Sequence, residues 1–367
     1  MKNKLLIFSA TFPPKQSAGS FRLTNICKSL GEDYKIDILT RSRGGIDEYY
    51  DKSLCKYINK IHLTYINIGF RRKMILKIID RINNLPIISF FIGYFGLKRI
   101  INRYSLIVCS APDYGYILPI IFFKKRYILD MRDLWTDDVR KNNNIVLRFL
   151  ESKLLKKAQK IVVTSPYMVR YLSKYKAKIT IINNAYNNKF VTLKKQYTYE
   201  FAYTGLLYKG QEEIMIKFLE KFSGSKIVLA GSIRNEFYNT VTKFDNVHVT
   251  GIVDYYESLK IQNSARFLLV LSVIDWSIPA KVYDYMKLKR PILGIGYNIN
   301  SALSEIIKET KSGIYLTVTE FDKMKKKEIV YNLRNGYKSN NILISKYSFE
   351  SFKNKYLNLI NNEYEKI

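Results

Sequence analysis

Lys281 and Asp284 stand one helical turn apart in Ile278-Pro279-Ala280-Lys281-Val282-Tyr283-Asp284-Tyr285-Met286, where a proline opens a helix and a lysine sits just inside it. Such a start offers unpaired backbone N–H groups and a cation to an anion. Gly205 to Gly210 (GLLYKG) lies between a strand-like run and a helix-like one, so its amides suit a diphosphate and Lys209 adds a point charge. Gly19, within Phe12 to Arg22 (FPPKQSAGSFR), allows the close approach of a phosphate between a first strand and a first helix. Arg132 and Asp133 fall just past a strand in LDMRDLW, the end at which parallel sheets present ligand-binding groups, and are candidate ligand contacts. Plainer alternatives stand beside each: an ordinary turn at Gly19 with Arg22 on a solvated helix face, an exposed loop lysine at Lys209, and a structural pair for Arg132 and Asp133.

Other chemistry is thinly represented. Cys27, Cys55 and Cys109 are odd in number and far apart, with no C-x-x-C spacing, which argues against a disulfide framework or a zinc knuckle and for a reducing compartment. His62 and His248 both sit in strand-like runs and read as packing residues. No D-x-D triplet that could hold a metal occurs, and neither a metal nor a cofactor is expected. The N-terminal apolar run is short and stops at Pro13 and Pro14, reading as a strand rather than an export signal.

The elements that must position these residues follow an alternation of short Ile/Val/Leu/Phe runs with helix-length amphipathic segments, which predicts α/β architecture with parallel strands. Strands are expected at Lys4 to Ser9, Lys35 to Thr40, His62 to Ile66, Leu106 to Ser110, Tyr127 to Met131, Ile161 to Thr164 and Ile179 to Ile182. After Asn184 the chain turns polar and irregular, and a second series begins, with strands near Phe201 to Thr204, Ile227 to Ala230, Val247 to Thr250, Phe267 to Leu271 and Ile292 to Ile295. With 367 residues and roughly 150 per domain, two domains are the default. They are drawn at 1–190 and 191–345, with a closing helix at 346–367. Two such Rossmann-like domains facing each other would leave an interdomain cleft for a nucleotide.

In chain order, FPPKQSAGSFR, LDMRDLW, KIVVTSPYMVRYL with ITIINNAYN, FAYTGLLYKG, IVLAGS, NVHVTGIV and IPAKVYDYMKLKRPIL together resemble the retaining glycosyltransferases of the GT-B fold, family four, which build bacterial surface polysaccharides. The resemblance runs almost end to end. It implies a fold of two Rossmann-like domains and transfer of a sugar, with retention, from a nucleotide diphosphate-sugar to a lipid-linked or glycan acceptor at a membrane. It also implies roles: Gly19, Arg22, Gly205, Lys209, Gly210, Arg234 and Lys281 near the donor, with Asp284 accepting hydrogen bonds from the donor ribose. Arg132, Asp133 and Lys281 would serve catalysis. The family's upstream acid, eight positions before Asp284, is here Trp276, with Asp275 one step further away.

A net charge of +30 attracts nucleic acid, acidic lipid or phosphorylated small molecules alike. No helix-turn-helix, zinc finger or RNP-like strand accompanies it, so nucleic acid is not the expected partner. Arg71 to Tyr104 surrounds an apolar run, Pro86 to Leu97, with basic residues. The run is too short to span a bilayer but suits an anionic membrane surface, the alternative being a packed helical hairpin. A cytoplasmic protein, peripheral on the inner face of the membrane, is the resulting expectation. An epimerase or hydrolase on the same fold, and more remotely a basic nucleic-acid-binding protein, are the competing functions.

Overall fold

The computed structural model describes residues 2–13, 17–41, 58–64, 86–137, 145–186 and 197–366. The expected membrane segment therefore lies partly outside the described residues, Arg71, Arg72 and Lys73 included. The chain divides into two compact units, Met1–Asn183 with Phe352–Ile367, and Asn184–Ser351.

Strands β1 (Lys4–Ser9), β2 (Lys35–Arg41), β3 (Lys60–Thr64), β4 (Leu106–Ser110), β5 (Arg126–Met131), β6 (Lys160–Val163) and β7 (Ile179–Ile181) build the first unit's sheet. Their order is β3-β2-β1-β4-β5-β6-β7, and every neighbouring pair is parallel. Leu5, Leu6, Ile7 and Phe8 are all fully buried, as expected of a strand covered on both faces, and this is why apolar runs rather than alternation mark the strands. The first helix, Ala18–Leu30, starts where the Ser17 hydroxyl accepts from the Ser20 amide at 3.1 Å. The terminal helix, Phe349–Tyr364, joins this unit from Phe352 onward. There Tyr364 donates to the Lys4 carbonyl at 2.6 Å and Glu363 pairs with Arg126 at 3.1 Å.

The second unit's sheet uses β8 (Tyr199–Thr204), β9 (Ile227–Ala230), β10 (Val247–Gly251), β11 (Ala265–Ser272), β12 (Ile292–Gly296) and β13 (Gly313–Thr317), ordered β10-β9-β8-β11-β12-β13 and again parallel. Helix Glu212–Lys221 buries Ile214, Met215, Phe218 and Leu219 on one face and carries Glu212 and Glu213 in its first turn, where acids complement the dipole. Its Phe218 and the Phe222 that caps it pack edge-on against Phe201 of β8, with centroids 5.1 and 4.6 Å away. Strand β13 was not among the expected ones. It lies at the sheet's edge, only Leu316 of its five residues is buried, and a half-solvated GIYLT lacks the apolar run that marks the others.

In each sheet the chain walks outward from its first strand and returns on that strand's other side. The reversal falls between β1 and β4 in one unit and between β8 and β11 in the other. Beyond the carboxyl ends of such strand pairs, open parallel sheets bind ligands.

Candidate functional site

In the second unit, the turns after β8, β9 and β10 are knit together by backbone. Gly205 donates to the Ala230 carbonyl at 2.7 Å, Leu207 to Ser232 at 3.1 Å, and Gly231 to Gly251 at 2.8 Å. Gly205 and Gly231 hold φ of 107° and 138°, and a Cβ on Gly231 would stand 2.2 Å from the Gly205 carbonyl oxygen. Only glycine fits both demands there. The loop continues to Gly210 (φ 92°), with Gly205, Lys209 and Gly210 all exposed.

Across the switch point, the chain leaving β11 enters helix Lys281–Lys287. Seven residues give a modest dipole, so the charge at this helix start is chiefly that of Lys281 itself. Its Nζ lies 3.5 Å from the centroid of the Tyr203 ring, and its Cε and Nζ are 3.6 Å from where a Gly205 Cβ would be. Gly205 and Lys281, both expected near the donor, lie side by side in the fold. Among the described residues Lys281 forms no ion pair, and burial pushes its ammonium down from 10.5 to about 7. Asp284, a turn later, is raised from 3.8 to about 7 by burial, partly offset by the hydrogen bond that Tyr255 donates to its Oδ1 at 3.0 Å. Both side chains are half-buried by exposure, so each still reaches solvent or a ligand. Tyr285 ties the helix to the end of β8, its hydroxyl accepting from the Thr204 amide at 3.1 Å.

In the first unit, Arg132 follows β5 and donates from Nε to the Ala111 carbonyl beyond β4 at 2.6 Å. Its guanidinium lies directly over Gly19: a Cβ there would be 1.5 Å from the nearer terminal nitrogen. Gly19 is thus required by a side chain of the same unit, and these two residues form a second grouping at a switch point. Asp133 is half-buried, with its backbone carbonyl accepting from Tyr114.

Two expected donor contacts are engaged elsewhere. Arg22 turns inward, 2% exposed, with its guanidinium on Asp130 at 2.7 Å, on the Ile182 carbonyl at 3.1 Å and beside Tyr356 of the terminal helix at 3.1 Å. This side chain is not on a solvated face, and its guanidinium is engaged by a buried carboxylate, a carbonyl and a tyrosine of its own unit. Arg234 is exposed and pairs with two carboxylates, Glu212 and, at 3.2 Å, Glu236. Sequence reading missed Asp130, Tyr203 and Tyr255; an acid inside the apolar run of β5 is the one signal that pointed to a buried pair. Asp275 gives its backbone carbonyl to the Ala302 amide, and Trp276 is buried. His62 lies 3.9 Å from Asp37 with its imidazole held down by burial, and His248 is exposed on β10 against Tyr199 at 2.6 Å. Among the described residues no cluster of His, Cys, Asp and Glu has metal-binding geometry, and no helix is long and apolar enough to cross a membrane.

No protein-family model matches the chain, and no curated protein matches it in sequence. Solved structures do match in shape. HepE from Anabaena, in complex with UDP and glucose, superposes with a TM-score of 0.70 at 9% identity, covering 98% of this chain and 100% of its own. A glycosyltransferase from Rickettsia africae gives 0.61 at 15% identity, covering 97% and 94%. A UDP-N-acetylglucosamine 2-epimerase from Listeria monocytogenes, so described putatively, gives 0.63 at 10% identity, covering 100% and 98%. Two parallel-sheet α/β units, matched over nearly the whole length of these structures, give the chain the GT-B fold.

Proposed function

We propose that this protein is a glycosyltransferase that takes a nucleotide diphosphate-sugar as donor. The observation that carries the reading is the ammonium of Lys281, half-buried at the β8/β11 switch point beside Gly205 and without an acidic partner among the described residues. A desolvated cation with no counter-ion is costly unless its anion is the ligand. In this reading Lys281 and the amides of Leu206, Lys209 and Gly210, those of Gly205, Leu207 and Tyr208 being engaged within the unit, take the diphosphate, with Lys209 adding charge, and Asp284, oriented by Tyr255, accepts from the ribose. Arg132 and Asp133, with Gly19, serve the sugar and acceptor side. Arg22 and Arg234 are left out of it.

The reaction proceeds with retention. The bond from the anomeric carbon to the diphosphate oxygen breaks with its electron pair going to the diphosphate, the acceptor hydroxyl bonds to that carbon on the same face, and its proton passes to the departing phosphate. Lys281 strengthens its contact as negative charge grows on the leaving group, which needs no metal. The acceptor is a glycan or lipid-linked molecule of surface polysaccharide synthesis, at the inner face of the membrane. HepE, solved with UDP and with UDP-glucose, supports a donor of this chemical class. The Listeria epimerase likeness favours one alternative, epimerisation of the same kind of nucleotide-sugar. Product analysis with and without a glycan acceptor separates them: transfer requires the acceptor, whereas epimerised or hydrolysed donor in its absence rules against transfer.

A further inference from the structure

Helix Ile87–Ile100 carries no charge over its first eleven residues and is apolar there apart from Ser89, yet it buries only Gly93, Gly96, Leu97 and Ile100. Its packed face is a small-residue face: a Cβ on Gly93 would stand 2.0 Å from the Tyr116 carbonyl oxygen. The other face is aromatic. Phe91 and Phe95 are 41% and 51% exposed, and Phe122, from a distant part of the chain, is 63% exposed. The rings form one connected set, with Phe90 at 5.8 Å from Phe122, 5.6 Å from Phe91 and 6.3 Å from Tyr94, and Tyr94 at 5.5 Å from both Phe95 and Phe123. Ordinary surfaces scatter large apolar side chains singly; a contiguous set marks a docking face.

Charge selects the occupant. Lys98 and Arg99 follow Phe95 by three and four residues on the same helix, and Lys124 follows Phe123 directly. All three are exposed, and none forms an ion pair among the described residues. Between positions 86 and 126 the only acid is Asp113, which is held by Arg41 at 3.3 Å. Aromatic rings with a cationic border match an anionic lipid surface, where rings enter the acyl boundary and basic groups meet headgroups. At 14 residues the helix extends about 21 Å, less than the hydrocarbon core, so it lies on the bilayer rather than through it.

We propose that Phe91, Phe95 and Phe122, bordered by Lys98, Arg99 and Lys124, form the surface by which this protein inserts into an anionic membrane. It deepens the membrane placement of the proposed function and is independent of the donor chemistry. Co-sedimentation of the full chain with phosphatidylglycerol/phosphatidylcholine vesicles tests it. The expected result is binding that falls at least about tenfold with pure phosphatidylcholine, in Phe91→Ser/Phe95→Ser/Phe122→Ser, and in Lys98→Glu/Arg99→Glu/Lys124→Glu. As a check that needs no loss of function, Phe91→Trp should shift its fluorescence to the blue on anionic vesicles and be quenched by brominated acyl chains. Equal binding to both vesicle types, wild-type binding by either triple variant, or an unquenched Phe91→Trp overturns the proposal. So does a concentration-dependent dimer that the phenylalanine variant abolishes, which would assign the face to a second copy. Nucleoside diphosphate binding, measured without lipid on the same variants, should stay unchanged, so failure here is distinguishable from failure of the transferase reading.

Discussion

Two partly or wholly buried cations, one in each unit, have opposite surroundings. Arg22 is enclosed by Asp130, a backbone carbonyl and Tyr356, whose hydroxyl also donates to Asp130 at 2.6 Å. Arg22 holds the Asp130 carboxyl below its usual range even though burial opposes this. Lys281 has the face of Tyr203, the bare backbone at Gly205 and no carboxylate among the described residues, and burial alone sets its titration. A cation whose partners come from its own unit fastens that unit together. One left uncompensated at a switch point is where the proposed donor would bring the missing negative charge.

The sharpest way to break this comparison is to remove the partner on the compensated side. Asp130→Ala should strand the Arg22 guanidinium in the interior at a cost of about 3 to 5 kcal/mol, read by denaturant unfolding. A loss under 1 kcal/mol would mean that the Arg22 cluster fastens little. Next in size is Lys281→Ala, which removes a charge-assisted contact of about 1.5 to 3 kcal/mol, or roughly ten- to 150-fold in donor kcat/KM. Much of that should fall on kcat, because the contact tightens as the diphosphate leaves, while thermal stability without nucleotide should hold or rise.

The two half-buried titrating groups in the second unit give opposed pH slopes. Lys281 has its folded pKa lowered from 10.5 to about 7, so the unfolded chain binds more protons between those values. Its destabilising effect is full below 7 and is relieved as pH rises towards 10.5. Asp284, raised from 3.8 to about 7, contributes the reverse: stability present at low pH and lost as pH rises through that window. Nucleotide affinity should follow the lysine and weaken above pH 7 by up to about tenfold per pH unit, a ceiling that partial solvent exposure lowers. Calorimetric titrations from pH 7 to 9 should find this slope in the wild type and not in Lys281→Ala. Arg234→Ala sits at the small end. An exposed guanidinium shared by two carboxylates should change donor affinity by less than about threefold, and a larger loss would return Arg234 to the donor site.

What the sequence revealed and what it withheld divide along the same line. Strands β1, β4 and β9 lie where their apolar runs begin and end, because a covered parallel strand needs apolar residues on both faces. The helix start at Lys281 was legible too, since the proline and the lysine are neighbours in the chain. Arg22 was not: its fate is decided by Asp130, 108 residues away, and by Tyr356, 334 away, and nothing local distinguishes an arginine that will be enclosed from one that will meet a phosphate. The nearness of Gly205 to Lys281 was expected only through the family resemblance, because it depends on β8 and β11 being neighbours in the sheet. That is a fact of strand order rather than of spacing.

The central claim, that the uncompensated ammonium of Lys281 is the donor diphosphate site, is tested most directly by one titration. Uridine, guanosine and cytidine diphosphates are titrated calorimetrically into the wild type and Lys281→Ala at pH 7, in excess chelator. The account predicts that at least one binds the wild type and binds the variant roughly ten- to 150-fold more weakly. Binding of equal strength to both, or no binding to the wild type until a divalent metal is restored, would contradict it.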